Sequence, residues 1–468
     1  MNLGIAGRVG GAVLTVGWLA VVAGEEARAQ ARPVEAHVSY TQYTLENGLN
    51  LLVHTDHSLP LVAVNVWYHV GSANERPGRT GFAHLFEHIM FEGSAHVPEG
   101  DFDNLLEGVG GTNNGSTNTD RTNYFETLPS NAVELALWLE ADRMGWLLDA
   151  MDQTKLDLQR DVVKNERRQG IDNRPYGIAS ETLLEMMYPE GHPYRWPVIG
   201  SMDDLTAATI EDVSRFFRTY YAPNNASLVI SGNISARRAL ELTRKYFGEI
   251  PSGPAVPDVV APDPTLDRDI RRTLEDDVRL PRLYLAWHTP AGFSGDDAPL
   301  DLLADVLGRG RNSRLQRRLV FEEQVAQSVS VFHSTRRHGS TFQIQVTGRP
   351  DTPLARLEEL VHEELRALVS DRVREEELER AIAGLESRWV RSIESLGGRA
   401  DILNYYYFHT GDPGYLRKDL NRFRSVSPEE VGRVADEYLV GGHVGGLSIV
   451  PVGRTDLSAD APGQGGGS

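Results

Sequence analysis

The stretch Gly81-Phe82-Ala83-His84-Leu85-Phe86-Glu87-His88-Ile89-Met90-Phe91-Glu92-Gly93 holds two kinds of information on one helix. Phe82, Leu85, Phe86, Ile89 and Met90 recur at i, i+3, i+4, i+7 and i+8, which at about 100° per residue makes a single apolar stripe. His84, Glu87 and His88 project together from the opposite side. Two histidines four apart on a helix can converge on one metal ion, and a carboxylate three residues after the first lies on the same face. The order is that of HExxH read backwards. The plainer alternative is a pair of solvated histidines on a helix surface, and the rest of the chain decides between the two.

Downstream, Gln159-Arg160-Asp161-Val162-Val163-Lys164-Asn165-Glu166-Arg167-Arg168 reads as a second helix with Glu166 just past an apolar pair, placed to supply a third ligand. A catalytic zinc site needs three protein ligands and one open position, and two neutral imidazoles with one carboxylate leave a net positive centre where water ionises near neutral pH. Glu87 is then the base that takes the proton from the attacking water and passes it to a leaving amine. Zinc suits these donors, although manganese or cobalt could occupy them.

Composition narrows the alternatives. Acidic residues outnumber basic ones by 66 to 47, a formal charge of −19 that repels phosphate backbones, so nucleic acid is excluded as a partner. The chain has no cysteine, which removes disulfide scaffolds, thiolate nucleophiles and Cys-type metal sites. With 40% apolar and 24% charged residues over 468 positions, it has the make-up of an ordinary globular protein of two or three domains.

The chain also repeats itself. Thr209-Ile210-Glu211-Asp212-Val213 followed by Tyr220 returns 218 positions later as Ser427-Pro428-Glu429-Glu430-Val431 followed by Tyr438. Each copy is a capping residue, an acidic first turn, a helix and a β-prone run. Leu158-Gln159-Arg160 with Glu166 matches Leu378-Glu379-Arg380 with Glu386 at an offset of 220. Between them, Pro251, Pro254, Pro257, Pro262 and Pro264 favour an extended connector. Asn47-Gly48 marks a hairpin turn before Leu49–His54, strands are predicted over 61–70, 282–288 and 342–347, and helices over 302–321 and 354–369. Hairpins mixed with helices indicate two homologous α+β domains, each a mostly antiparallel sheet packed with helices. The predicted boundaries are 30–250 for the catalytic half, 251–268 for the connector, 269–455 for the second half and 456–468 for a loose tail.

At the N-terminus, Arg8 precedes an apolar run from about Val9 to Ala23, and Ala27-Arg28-Ala29 offers a small-x-small cleavage site. Residues 1–29 read as an export signal cleaved near Ala29, leaving a periplasmic or secreted protein. The run is too short and glycine-rich for the ~20 apolar residues of a membrane anchor, and no later segment could span a bilayer.

Gly81-x-x-His84-x-x-Glu87-His88-x-x-Phe91-x-Gly93-Ser94, with Glu166 after 77 intervening residues, resembles the inverted-zincin M16 peptidases, the family of pitrilysin, insulysin and the mitochondrial processing peptidase. The likeness runs from about residue 40 to 455 and is strongest with the short-chain members. It implies two LuxS/metallohydrolase-like domains, His84, His88 and Glu166 as ligands of one zinc ion, and Glu87 as catalytic base. Family members also carry a Gly-Gly-x-x-Asn-Ala strand whose edge pairs with the substrate backbone. Gly110-Gly111-Thr112-Asn113-Asn114-Gly115 is similar to it, which makes Asn114 the implied substrate contact. His192-Pro193-Tyr194 is expected to be a packing element.

The second copy departs from the first. At an offset of 218, the positions of His84, Glu87 and His88 hold Leu302, Asp305 and Val306, so one chain offers one metal site. In many relatives the second half supplies an Arg and a Tyr that bind the substrate carbonyl. Here Ser313-Arg314-Leu315 and Leu319 remain, but Val320 stands where that Arg is expected and Gln327 where the Tyr is expected. Missing oxyanion donors cost roughly 2.7 to 4 kcal/mol each in comparable enzymes. The resemblance therefore implies a hetero-oligomer in which a homologous chain without the metal motif brings the missing pair. A non-catalytic scaffold subunit is the alternative, and the intact His84, Glu87, His88 and Glu166 argue against it. Gln159, where relatives often carry a second acidic residue, is a further departure.

Overall fold

A computed structural model describes residues 37–460. The export-signal reading of residues 1–29 and the end of the C-terminal tail lie outside them. The first half builds a six-stranded sheet from β1 (Thr41–Thr44), β2 (Asn50–Thr55), β3 (Leu61–Tyr68), β4 (Thr112–Thr117), β5 (Thr122–Pro129) and β6 (Ala226–Gly232), in the order β1-β2-β6-β3-β5-β4. Only β2 and β6 run parallel. The turn between β1 and β2 holds Gly48 at φ +92°, and Asn47 beside it donates to Phe247 O and Ile250 O at 2.7 and 2.9 Å.

Its helices are α1 (Phe82–Ile89), α2 (Asp101–Gly108), α3 (Val133–Trp146), α4 (Gln153–Arg167), α5 (Ala179–Met187), α6 (Met202–Ala207), α7 (Ile210–Tyr220) and α8 (Ala236–Phe247). Thr209 caps α7 by accepting from Asp212 N at 3.2 Å, as its acidic first turn requires. Val62, Val64, Val66 and Tyr68 alternate onto one face of the sheet, where they pack with Phe82, Leu85, Phe86 and Ile89 of α1 in one core.

The second half repeats the plan. β7 (Ile270–Asp276), β8 (Arg282–Thr289), β9 (Ala326–Ser334), β10 (Ser340–Gly348) and β11 (Gly445–Pro451) form a sheet in the order β7-β11-β8-β10-β9, with β7 and β11 its parallel pair. Its helices are α9 (Asp297–Gly308), α10 (Leu354–Asp371), α11 (Glu375–Ser392), α12 (Leu396–Thr410), α13 (Leu416–Arg424) and α14 (Pro428–Val434). Ser427 and Glu430 form a reciprocal capping box on α14.

Two expectations need correction. The helix foreseen over 302–321 stops at Gly308: Gly310 takes φ +81°, which ends regular α-helix, and a separate wide turn follows over Gln316–Glu322. The segment from Asp456 to Asp460, expected in the loose tail, is packed, because Leu457 is buried in the second core and Ala459 N donates to Ser448 Oγ at 3.1 Å.

Each sheet has a second face, and there the halves exchange helices. α12 lies across the first sheet, where Asn404 donates to Asn65 O at 3.0 Å and accepts from Ser227 Oγ at 2.8 Å, and Asp401 accepts from Trp67 Nε1. Reciprocally, α5 packs Ala179, Leu183, Met186 and Met187 on Tyr284, Ala286, Leu447 and Ile449 of the second sheet.

Candidate metal centre and active site

α1 starts at Gly81, whose φ of +86° and close approach to Ile199 O leave no room for a side chain. Glu75 fixes that end of the helix: Gly81 N and Ala83 N donate to its two carboxylate oxygens at 2.9 and 2.8 Å, satisfying donors a helix leaves open. The loop before α1 is clamped by Asp204, which accepts from Thr80 N at 2.9 Å and from Thr80 Oγ1 at 2.6 Å. The apolar stripe of α1 is buried and the His84, Glu87, His88 side faces away from it.

α4 is capped by Asp152, which accepts from Lys155 N at 2.9 Å, and its far end is tied down by Arg167, which pairs with both carboxylate oxygens of Glu181 and donates to Gly200 O at 3.0 Å. Gln159, the departure noted in the sequence, is buried and donates to Glu92 Oε1 at 2.6 Å, while Lys155 Nζ reaches Glu92 O at 2.7 Å. α4 is thereby held along the end of α1.

These restraints bring three donors together. His84 Nε2 and His88 Nε2 lie 3.7 and 3.3 Å from Glu166 Oε2, and the two rings stand edge to face with centroids 4.9 Å apart. A tetrahedral zinc ion with bonds of 2.0–2.1 Å spaces its ligands about 3.4 Å apart. The donor set and its spacing therefore fit zinc. Burial, with the neighbouring His88, holds the His84 ring down to about 4 against the pull of Glu166, so its imidazole is neutral and free to donate a lone pair at physiological pH.

Glu87 lies over the edge strand β4. A methyl group at Gly115 would stand 3.1 Å from Glu87 Cγ and 3.4 Å from Phe91 Cε2, so the glycine keeps that space open. Asn114 is exposed on β4, whose outer edge no strand of the sheet covers. Behind β4, the fully buried Arg143 pairs with Glu140 and, at 3.4 Å, with Glu126, while its guanidinium packs over Phe91, Phe102 and Tyr124 at 5.1, 4.3 and 4.4 Å. Burial and the charge of Glu140 push the Glu126 carboxyl up. Sequence reading missed Glu75 and this buried triad; a Glu six residues before the helix-opening Gly81 and the three-residue spacing of Glu140 and Arg143 were the local signals available.

In the second half the equivalent positions are filled. Leu302 and Val306 are core residues, and Asp305 pairs with Arg309 and Arg388, each at 2.8 Å. Glu386, the counterpart of Glu166, pairs with Arg424 at 2.6 Å. Guanidinium groups thus neutralise carboxylates that in the first half face two histidines. His192 is buried, accepts from Tyr194 N at 3.0 Å and stacks on Tyr188, which is a packing role.

The model of the insulinase family, peptidase family M16, matches residues 51–195, and that of the peptidase M16 inactive domain matches residues 207–385. Together they take in well over half of the sequence. The chain belongs to peptidase family M16. Its relatives in M16 include the zinc protease PqqE of Helicobacter pylori, 29% identical over 84% of this chain and 89% of that protein. A probable β subunit of the mitochondrial processing peptidase of Arabidopsis thaliana is 22% identical over 87% of this chain and 78% of its own length. The crystal structure of a protease from Helicobacter pylori superposes with a TM-score of 0.84 at 28% identity, covering 89% of this chain and all of that one. The periplasmic protease PqqL of Escherichia coli shares the fold, with a TM-score of 0.73 at 17% identity, over 89% of this chain and 48% of its own. The M16 architecture of two α+β domains is therefore the fold of this chain, and the inactive-domain match falls on the half whose ligands are replaced.

Proposed function

We propose that the chain is the metal-carrying subunit of an exported zinc endopeptidase acting on peptides or unfolded polypeptide segments, with His84, His88 and Glu166 as ligands. The observation that carries this reading is the convergence of two histidine Nε2 atoms on Glu166 Oε2 at 3.7 and 3.3 Å. A zinc ion held by these three residues would supply Lewis-acid chemistry, polarising a carbonyl and making a neighbouring water acidic. Glu87, on the same side of α1 as both histidines, takes the proton of the attacking water on its carboxylate and returns it to the departing amine nitrogen. An extended substrate adds to the free edge of β4, main chain to main chain, with Asn114 as a side-chain contact.

The second half supports the need for a partner. Val320, which has no side-chain donor, stands where the Arg is expected, Gln327 takes the place of the Tyr, and Arg314 of the Ser-Arg-Leu block is buried and engaged by Glu377 at 2.8 Å. A homologous chain lacking the metal motif supplies that pair. Among the described residues no helix is long and apolar enough to cross a membrane, which is compatible with export behind the leader at residues 1–29.

The test is metal content measured together with cleavage of a quenched peptide, for the chain alone and with a co-purified homologous subunit. Zinc at one per chain, with turnover that rises on adding the partner and vanishes in Glu87→Gln while zinc remains, is expected. Turnover unaffected by Glu87→Gln refutes the assignment of the base.

A further inference from the structure

The two exchanged helices do unequal work. α12 has fifteen residues and covers β2, β3, β5 and β6 of the first sheet, whereas α5 has nine and packs chiefly on β8 and β11 of the second. Where α5 stops, the outer face of β10 and β9 is left open as a recess of about 500 Å³, walled on the other side by the turn that follows α4 and Glu166. Its floor is polar and aromatic, with Gln343, Tyr284 and Phe332, the last 41% exposed.

Three guanidinium groups line this recess: Arg174, Arg282 and Arg336. Arg282 packs on the ring of Tyr176 at 3.6 Å and bonds the hydroxyls of Thr347 and Tyr284, and Arg336 stands 5.0 Å over Tyr194 with its guanidinium beside the Tyr188 hydroxyl. Among the described residues none of the three is within ion-pairing distance of a carboxylate. Glu181, the one acid lining the recess, is engaged by Arg167. In a chain with 66 acidic and 47 basic residues, where buried arginines such as Arg143 and Arg314 are paired with carboxylates, three guanidiniums around one recess with no carboxylate partner call for carboxylates from outside. Tyr176 is held at φ +59° by bonds from its N to Asp276 and from its hydroxyl to Leu280 O, so this aromatic wall is fixed in advance.

We propose that the recess is an accessory subsite for acidic side chains, flanked by an aromatic one, in a polypeptide substrate. The identity of the ligand as substrate rests on the peptidase reading; the binding chemistry does not. The test uses full-length zinc-loaded Glu87→Gln chain and two fluorescent peptides that differ only as Asp-Tyr-Glu against Asn-Tyr-Gln, titrated by anisotropy at low and high salt. The acidic peptide is expected to bind about tenfold more tightly at low salt, a preference that shrinks at high salt and disappears in Arg174→Gln/Arg336→Gln. Equal affinity for both peptides, a comparison that needs no change in the recess, overturns the proposal, as does a preference that survives in a folded double variant. Because binding is read without turnover, an acidic preference in a chain that cleaves nothing even with its homologous subunit added would leave the subsite and remove the peptidase reading. Cleavage by the unsubstituted chain without that preference would do the reverse.

Discussion

Arg143 shows how much of the site depends on side chains that never touch substrate. Its guanidinium is sealed between Glu126, Glu140 and three aromatic rings directly behind β4. Arg143→Met leaves two buried carboxylates without a counter-charge and should cost about 3–5 kcal/mol in denaturant unfolding, whereas an exposed arginine such as Arg237 should cost well under 1 kcal/mol. Gly115 tests the same region from the front. Gly115→Val places methyl groups against Glu87 Cγ and Phe91, so kcat should fall by at least about tenfold while bound zinc, read by atomic absorption, stays at the level of the parent chain. At this scale the sequence was informative where chemistry and helical period coincide, at His84, Glu87, His88 and Glu166. It gave no sign of the Arg143–Glu126 and Arg314–Glu377 pairs, whose members lie on different elements, although Glu140 and Arg143 stand three apart on one helix.

Among the elements, α1 bears the heaviest demands, since it carries a core stripe and three polar groups within two turns. Glu75 holds its first turn by two hydrogen bonds. In Glu75→Gln one acceptor is lost and an amide N–H faces a backbone N–H, which should cost about 1–3 kcal/mol and loosen zinc by roughly 10–100-fold in a chelator competition. Unchanged zinc affinity would show that α1 is positioned by its apolar stripe alone. The hairpin at Asn47-Gly48 and the caps at Thr209 and Ser427 were legible because each is a local choice of the backbone. The early end of α9 was not, since Leu302–Leu307 and Leu315–Phe321 share an apolar pattern, and a glycine at positive φ breaks a helix without breaking its period.

For the whole molecule, the seam between the halves is rich in uncharged histidines. His192 stacks on Tyr188, His288 Nε2 donates to Met187 O, and His338 lies against Tyr194. Burial pulls all three below the ordinary imidazole value, His192 to about 4 with help from His288, His338 and Arg336. The unfolded chain takes up protons near pH 6.5 that the folded seam refuses, so the stability they contribute is complete above that pH and is lost as pH falls towards 4. Thermal midpoints in excess chelator should therefore decline steadily from pH 6.5 downwards, and His192→Asn, which keeps an acceptor for Tyr194 N, should flatten the decline. A flat profile in the parent chain would refute this. The repeat offset of 218 announced two similar halves in the sequence, but nothing local could disclose that they trade helices, because α5 and α12 bury their residues on strands far away in the chain.

That trade makes the protein a tethered, swapped pair, in which each half lends the other one of its covers. A single proteolytic nick anywhere between Pro251 and Pro264 would set neither fragment free. The two pieces would stay clasped, travel as one particle under native conditions, and come apart only when a denaturant strips α5 and α12 from the sheets they guard.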